Sequence, residues 1–73
     1  MKKVFALQDL ECAHCAARME DGIRALAGVR EVSVNFLTQR LMLDADDAVF
    51  EKVLKDAVKI CRRIEPDCRI VLK

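Results

Sequence analysis

The hydrophobic and polar positions follow two different periods along the chain, and each period predicts one kind of element. Residues 3–7 are apolar on both faces of an extended chain, which indicates a central strand. Residues 14–27 follow a helical period. The apolar stripe of this predicted helix consists of residues spaced three or four apart: Cys15, Met19, Ile23 and Leu26. Gly28 occupies the position where a left-handed residue commonly ends a helix.

Two predicted strands follow, joined by a hairpin. Apolar and polar residues alternate in residues 32–36 and again in residues 40–44, which is typical of strands with one buried face. The polar pair Thr38–Gln39 lies between them and predicts the turn. The middle of the chain is therefore predicted to form two antiparallel strands.

A second helix and a last strand complete the predicted elements. Residues 50–64 carry apolar side chains at helical spacing, and Asp46 or Asp47 can cap this helix. Pro66 ends it, because proline has no N–H to donate and restricts the residue before it. Residues 68–73 alternate again and predict a strand. Three of its residues alternate with the others, Cys68, Ile70 and Leu72, and Cys68 is expected to face inward.

The predicted order of elements, βαββαβ, is typical of an α+β fold with the ferredoxin-like layout. In that layout a four-stranded antiparallel sheet carries both helices on one face, and residues 1–73 are expected to form a single domain. The first strand ends where the first helix begins, and the second helix ends at the same edge of the sheet. We therefore expect residues 12–15 and 61–68, which contain the four cysteines, to lie at one end of the molecule.

Composition and charge narrow the classes of function. The chain has 73 residues, and a domain of this size buries only about 60% of its unfolded surface, which leaves little room for a substrate pocket. We therefore do not expect an enzyme. Lys and Arg number 13 and Asp and Glu number 12, so the formal net charge is +1. Such a balance gives no electrostatic footprint for nucleic acid.

The apolar runs of the chain bear on its compartment. Lys2 and Lys3 precede a short apolar run that Gln8 and Asp9 interrupt, so no secretory signal is predicted. No uncharged apolar run approaches the roughly 18 residues of a membrane span. We expect a cytoplasmic monomer that does not insert into a membrane. Stable disulfides are not expected in that compartment.

Cys12 and Cys15 form a Cys-x-x-Cys motif, Cys-Ala-His-Cys, in the loop that leads into the first predicted helix. The spacing lets two sulfurs face one point, so metal–sulfur bonds of about 2.3 Å close without distorting the backbone. The N-terminus of a helix adds free N–H groups and a partial positive charge, which favour the thiolate. Thiolates bind soft metal ions, so the motif predicts a metal site.

Residues 10–16 resemble the metal loop of heavy-metal-associated domains, which occur as metallochaperones and as N-terminal domains of metal-transporting P-type ATPases. The similarity covers essentially the whole chain through three further segments: residues 26–29, 32–36 and 45–47. It implies that Cys12 and Cys15 bind one soft metal ion and pass it to a partner. That partner would be the membrane part of such an ATPase or another metal-binding domain.

Two departures from the family pattern bear on the metal. The common Gly-Met before the loop is Asp9-Leu10 here, a change that keeps the volume of the packed side chain. Copper-type members usually carry Thr or Ser directly before the first cysteine, whereas this chain resembles zinc- and cadmium-type members in carrying Glu11. Zn²⁺ accepts a carboxylate oxygen as a third ligand, whereas Cu⁺ prefers a few soft sulfurs. We therefore expect Zn²⁺ or Cd²⁺ on Cys12, Cys15 and Glu11, with Cu⁺ as the alternative.

The remaining candidate ligands are Cys61, Cys68 and His14. Cys61 and Cys68 lie on the apolar stripes of the second helix and the last strand, so we expect buried core thiols. Their predicted position at the metal end keeps open a role as accessory ligands or a reversible disulfide between them. His14 is expected to point outward to solvent rather than to bind the ion.

Two other functions compete with metal transfer. A Cys-x-x-Cys pair can belong to a thioredoxin-like dithiol redox module, although the chain is short for that fold and has no aromatic residue beside the motif. The four cysteines could instead close one structural zinc site, in which case chelation would unfold the protein. Whether the chain is a free-standing chaperone or a domain of a transporter stays open as well.

Overall fold

The computed structural model of this chain describes residues 1–72, and Lys73, which the alternation assigned to the last strand, lies outside the described residues. Its elements follow in chain order: β1 (Lys2–Gln8), α1 (Ala13–Arg24), β2 (Val29–Asn35), β3 (Arg40–Ala45), a 3₁₀ turn (Asp47–Val49), α2 (Phe50–Ile64) and β4 (Arg69–Val71). The order βαββαβ is confirmed. The bounds of α2 agree with the sequence pattern at both ends.

The strands form one sheet in the order β2-β3-β1-β4, and each neighbouring pair is antiparallel. β1 therefore lies in the centre of the sheet, as its apolar character on both faces predicted. Phe5 of β1 pairs with Leu41 of β3, and Leu7 of β1 pairs with Ile70 of β4. This register aligns the apolar positions of three strands on the same face of the sheet.

The helices cover one face of the sheet and leave the other open to solvent. Phe5 and Leu7 are buried on the covered face, whereas Val4 on the opposite face is 61% exposed. The largest fully buried side chains come from both layers: Met19, Ile23, Leu41, Leu43, Cys61 and Cys68. Within residues 1–72, no helix has the length and apolar character needed to cross a membrane.

The connection from α1 to β2 differs from the predicted one. The helix ends at Arg24 rather than at Ala27. Beyond it the N–H of Leu26 donates to the carbonyl of Ile23 at 3.0 Å, and the N–H of Val29 donates to the carbonyl of Leu26 at 3.3 Å. These tighter turns replace the last helical turn, because the chain must bend back toward the sheet.

Both glycines lie where a side chain would crowd a neighbour. Gly28 has a φ of 91°, and a Cβ there would lie 2.6 Å from Cγ2 of Val49. The left-handed residue predicted here therefore lies in the turn before β2, not at the helix end. A Cβ on Gly22 would lie 3.1 Å from Cγ2 of Ile60, so this glycine lets the two helices approach closely.

The turn between β2 and β3 is longer than the predicted polar pair. β2 ends at Asn35, so Phe36 belongs to the turn and not to the strand. The Oδ1 atom of Asn35 accepts hydrogen bonds from the N–H groups of Leu37 at 2.9 Å and Thr38 at 3.0 Å. A side chain that bonds the backbone two and three residues ahead favours a turn over a continued strand.

Two further predictions are settled by the second half of the chain. Asp46 is the capping aspartate: its side chain accepts from the N–H of Ala48 at 3.1 Å and starts the 3₁₀ turn before α2. The last strand is shorter than predicted: β4 spans Arg69–Val71, so Cys68 and Leu72 lie outside it, and Leu72 is 57% exposed. Cys68 is fully buried, as predicted.

Candidate metal site

The loop between β1 and α1 is short and bends sharply. Asp9 has a φ of 61°, in the left-handed region that few residues other than glycine adopt. Leu10 then returns to the core, where it is 2% exposed. Glu11 and Cys12 alone separate this buried anchor from Ala13, the first residue of α1. The position of Cys12 is therefore restricted from both sides.

Cys12 is the N-cap of α1, and its sulfur is tied to Cys15. Its backbone is extended, with a φ of −129°, and Sγ accepts a hydrogen bond from the N–H of Cys15 at 3.2 Å. Its carbonyl accepts from the N–H of Ala16 at 3.1 Å. Cys12 and Cys15 are both half-buried. The structure thus brings the two sulfurs of the motif together at a helix N-terminus, within reach of solvent.

These contacts separate the acidities of the two thiols. Hydrogen bonds from the Cys15 thiol and from its backbone N–H lower the pKa of Cys12 below its ordinary value of 9.0. The same contact between the side chains, followed by partial burial, raises the pKa of Cys15 to about 11. Cys12 is therefore the first thiolate of the pair. A cation bound there neutralises its charge and so favours ionisation of Cys15.

Glu65, the residue that follows α2, is a charged neighbour of the site that the sequence analysis missed. Its carboxylate opposes ionisation of Cys12 and Cys15, an effect smaller than that of the hydrogen bonds between them. It acts in the same direction on Cys68, where burial is the larger cause of a raised pKa. Glu65 lies far from the motif in sequence, so no local spacing could reveal it.

Glu11 and His14 are both exposed, and the exposure of His14 agrees with its expected outward direction. Within residues 1–72, no group of three or more His, Cys, Asp or Glu side chains is placed to hold a metal ion. Glu11 therefore does not complete a three-ligand site with Cys12 and Cys15 in this conformation. A contribution from its carboxylate requires the side chain to turn toward the sulfurs.

Cys61 and Cys68 form a second pair beneath a surface cleft of about 300 Å³, which Arg62 and Arg69 also line. Both are free thiols, with exposures of 1% for Cys61 and 0% for Cys68. Burial and then the charge of Cys68 raise the pKa of Cys61 to about 12. Buried neutral thiols are weak nucleophiles and weak metal ligands. These properties favour the interpretation of both residues as part of the core.

Gln39 is a second residue that the sequence pattern did not mark. It lies in the turn between β2 and β3, yet its side chain reaches the backbone of Leu10, at the start of the metal loop. The sequence showed only a polar position in a hairpin. Its contact with Leu10 and its left-handed backbone, with a φ of 54°, are visible only in the structure.

Comparison with known proteins relates this geometry to a family. Residues 4–66 match the family described as "Heavy-metal-associated domain". The chain belongs to this family. The resemblance inferred from the loop is therefore confirmed, and with it heavy-metal binding and transfer as the general function that the family supports.

The relatives of this heavy-metal-associated domain include transporters and chaperones. A zinc/cadmium/lead-transporting P-type ATPase of Escherichia coli is 43% identical over 49 residues, which cover 67% of this chain and 7% of the ATPase. The copper chaperone CopZ of Enterococcus hirae is 30% identical over 64 residues, which cover 88% of this chain and 86% of CopZ. The domain thus spans a small part of the ATPase and most of the chaperone.

The fold of the heavy-metal-associated domain is shared with solved structures. The N-terminal domain of PacS from Synechocystis matches with a TM-score of 0.70 at 20% identity, covering 100% of this chain and 98% of that one. This likeness confirms the ferredoxin-like arrangement of one sheet and two helices.

Proposed function

We propose that this heavy-metal-associated domain binds one soft metal ion through Cys12 and Cys15 and transfers it to a partner. The observation that carries the proposal is the hydrogen bond from the Cys15 N–H to Sγ of Cys12 at 3.2 Å. This contact holds Sγ of Cys12 against the first turn of the helix that carries Cys15, and it helps to lower the pKa of Cys12, so that a thiolate is available. Because both residues are half-buried, an incoming ligand can reach an ion that they hold.

The transfer step follows from the number of ligands that the loop supplies. Two sulfurs leave coordination positions open on an ion that commonly takes four ligands. Thiolates of a partner can occupy these positions before Cys12 and Cys15 release the ion, so the ion moves by ligand exchange and is never free in solution. A closed site of four sulfurs would need Cys61 and Cys68, which are buried in the core.

We infer that the partner is a metal-transporting P-type ATPase or a second metal-binding domain, and that the domain acts as a cytoplasmic monomer. The relatives support this kind of partner, because they include both a P-type ATPase and a chaperone. Mixing the loaded domain with a candidate partner domain, followed by separation and metal analysis, tests it. Metal should move to the partner without appearing in a chelator present in solution. Transfer only through the chelator would contradict ligand exchange.

We propose Zn²⁺ or Cd²⁺ as the preferred ion, with Glu11 as its third ligand. The 43% identical relative is named for zinc, cadmium and lead, which supports a divalent ion. The Glu11 side chain is exposed and directly precedes Cys12, and its charge suits a divalent ion better than Cu⁺. Cu⁺ is the alternative, supported by the likeness to a copper chaperone.

Competition titrations of Zn²⁺, Cd²⁺ and Cu⁺ against chromophoric chelators test the site and the metal together. Cys12→Ser and Cys15→Ser should each abolish tight binding, whereas Cys61→Ala should retain it. Glu11→Thr should weaken Zn²⁺ binding about tenfold and leave Cu⁺ binding unchanged. Glu65→Gln is the matched control, because it removes the other carboxylate that acts on both thiols. Unchanged Zn²⁺ affinity in Glu11→Thr would show that Glu11 is not a ligand.

The same samples separate the competing functions. Circular dichroism after chelation should remain that of the folded domain, because the core is made of apolar side chains of the sheet and helices. Unfolding on chelation would favour a structural zinc site instead. The metal-free protein should not reduce a disulfide substrate with turnover, and sustained turnover would favour a redox module.

A further inference from the structure

We propose that Gln39 is the positioning residue of the metal loop: its side-chain amide clamps the backbone of Leu10 and so determines where Cys12 lies. The inference rests on the proposed binding of a metal ion by Cys12 and Cys15. Gln39 and Leu10 are 29 residues apart in sequence and are joined across the end of the sheet where the metal loop lies. The clamp therefore couples the turn between β2 and β3 to the loop between β1 and α1.

The amide of Gln39 uses both its donor and its acceptor. Its Nε2 donates to the carbonyl of Leu10 at 2.7 Å and to the carbonyl of Phe36 at 2.8 Å. Its Oε1 accepts from the N–H of Leu10 at 3.1 Å. One side chain thus pairs with the whole peptide backbone of Leu10, much as a neighbouring strand would. Glutamate at this position could not do so, because an ionised carboxylate donates no hydrogen bond.

The backbone of Gln39 is held as well as its side chain. Its φ of 54° lies in the left-handed region, and its carbonyl accepts from the N–H of Leu7 at 2.8 Å. A residue other than glycine keeps such a conformation only where the surrounding contacts determine it. Here the contacts to Leu7 and Leu10 do so, which places the amide at a defined position against the metal loop.

The contact between Gln39 and Leu10 affects the position of Cys12, because the segment that joins Leu10 to Cys12 is so short. Leu10 is buried, and Glu11 is the single residue between Leu10 and Cys12. On the helix side, the carbonyl of Cys12 accepts a hydrogen bond from the N–H of Ala16 at 3.1 Å. Without Gln39, the polar backbone groups of Leu10 lose their partners in a part-buried position, and the loop samples other conformations. Ordering the loop would then oppose metal binding.

Asn35 offers a matched control in the same turn. Its side chain accepts hydrogen bonds from the N–H groups of Leu37 and Thr38. These contacts lie within the turn and do not touch the metal loop. A change at Asn35 therefore weakens the turn without removing the contact to Leu10.

The test compares the native protein with Gln39→Met, Gln39→Gly and Asn35→Ala. Methionine keeps the length of the side chain without its polar groups. Glycine adopts a positive φ without cost, so the loss of the clamp can be measured even where the methionine variant does not fold. Three quantities are measured: Zn²⁺ affinity by competition, the rate of Zn²⁺ loss to excess chelator, and hydrogen exchange at the Leu10 amide of the metal-free protein.

Both Gln39 variants should bind Zn²⁺ about tenfold more weakly and release it faster, with faster exchange at the Leu10 amide. Asn35→Ala should lower the melting temperature and leave Zn²⁺ affinity and Leu10 exchange close to native. Native affinity in the Gln39 variants would overturn the proposal. So would an equal loss in Asn35→Ala, because the effect would then follow stability alone.

The exchange measurement separates this proposal from the proposed function. Exchange at the Leu10 amide needs no metal, so it reports directly whether Gln39 holds Leu10. If the native protein binds no soft ion through Cys12 and Cys15, the proposed function fails, and the role of the clamp in metal binding fails with it. If native binding depends on both cysteines but not on Gln39, the clamp alone is refuted.

Discussion

The backbone N–H of Cys15 donates a hydrogen bond to Sγ of Cys12 at 3.2 Å, and this relationship makes the two thiols of the loop unequal. The contact between the two side chains and this backbone contact lower the pKa of Cys12, whereas the side-chain contact raises the pKa of Cys15 to about 11. The side-chain contact is the larger cause of the asymmetry. The backbone contact adds to it and follows from the direction of the helix, because the N-cap side chain faces the free N–H groups of the first turn. We expect the first bond to an incoming ion to form at Cys12.

In the metal-free protein, iodoacetamide should modify Cys12 before Cys15 at neutral pH, because the thiolate is the attacking form. Peptide mapping after brief treatment measures the order. Cys15→Ala removes the contact between the thiols but keeps the backbone N–H, so the reactivity of Cys12 should shift to higher pH in that variant. Earlier modification of Cys15, or equal rates, would contradict the assignment.

The free energy of unfolding should fall at alkaline pH, because the thiol of Cys61 ionises in the unfolded chain before it ionises in the folded core. Burial and then Cys68 raise its pKa from 9.0 to about 12. The native state keeps this proton longer than the unfolded chain does, so its contribution to stability is full below about pH 9 and is lost as the pH rises toward about 12. Urea unfolding at about pH 8 and about pH 11 checks this against Cys61→Ala, which should lose less free energy of unfolding over that interval. An equal loss of unfolding free energy in the native protein and in Cys61→Ala would show that Cys61 is not the cause.

The two cysteine pairs should differ in access to a thiol reagent. Cys12 and Cys15 are half-buried in the loop, whereas Cys61 and Cys68 have almost no exposed surface. An aromatic disulfide reagent should therefore react quickly with Cys12 and Cys15, and with Cys61 and Cys68 only on the timescale of unfolding. Denaturant should make all of them react quickly, which is the control. Fast reaction of Cys61 or Cys68 in the native protein would show that the cleft opens.

Alanine should destabilise the protein far more at Gly28 than at Gly22. Gly28→Ala should cost about 2 kcal/mol or more, because it forces a left-handed backbone on alanine and places Cβ 2.6 Å from Cγ2 of Val49. Gly22→Ala gains up to about 1 kcal/mol of helix propensity, which the 3.1 Å approach to Ile60 offsets. Denaturant unfolding should place Gly22→Ala within about 1 kcal/mol of the native protein. A small cost at Gly28 would show that the turn before β2 adapts.

Glu20 should contribute to stability by joining α1 to the edge of the sheet. Its Oε1 accepts from the N–H of Val34 at 2.9 Å, and its Oε2 accepts from Nη2 of Arg24 at 2.9 Å. Glu20→Ala should cost about 1–2 kcal/mol, because the N–H of Val34 loses a charged partner. Asp21→Ala is the control, since Asp21 is exposed and contacts Arg24 alone by a side-chain hydrogen bond, so it should cost less than about 0.5 kcal/mol. Equal losses of stability in Glu20→Ala and Asp21→Ala would contradict a role for the contact between Glu20 and the N–H of Val34.

The order of elements was predictable because each element depends on residues close together in sequence. The helical period gave the correct bounds for α2, and the alternation in residues 40–44 marked β3. The position of Cys12 at the start of a helix was predictable for the same reason. The wrong predictions concern the ends of elements. Hydrogen bonds of the N–H groups beyond Arg24 form turns where a longer helix was predicted, and the side chain of Asn35 forms a turn where a longer strand was predicted.

The sequence by itself determined the βαββαβ order, the proximity of the Cys12 and Cys15 thiols and the apolar surroundings of Cys61 and Cys68. These follow from period and spacing, which are local properties. Tertiary structure alone decided that Glu65 acts on the thiols and that Gln39 holds Leu10. Such contacts depend on how distant segments meet once the sheet has formed, because a hydrogen bond or a charge acts over distances in space and not along the chain.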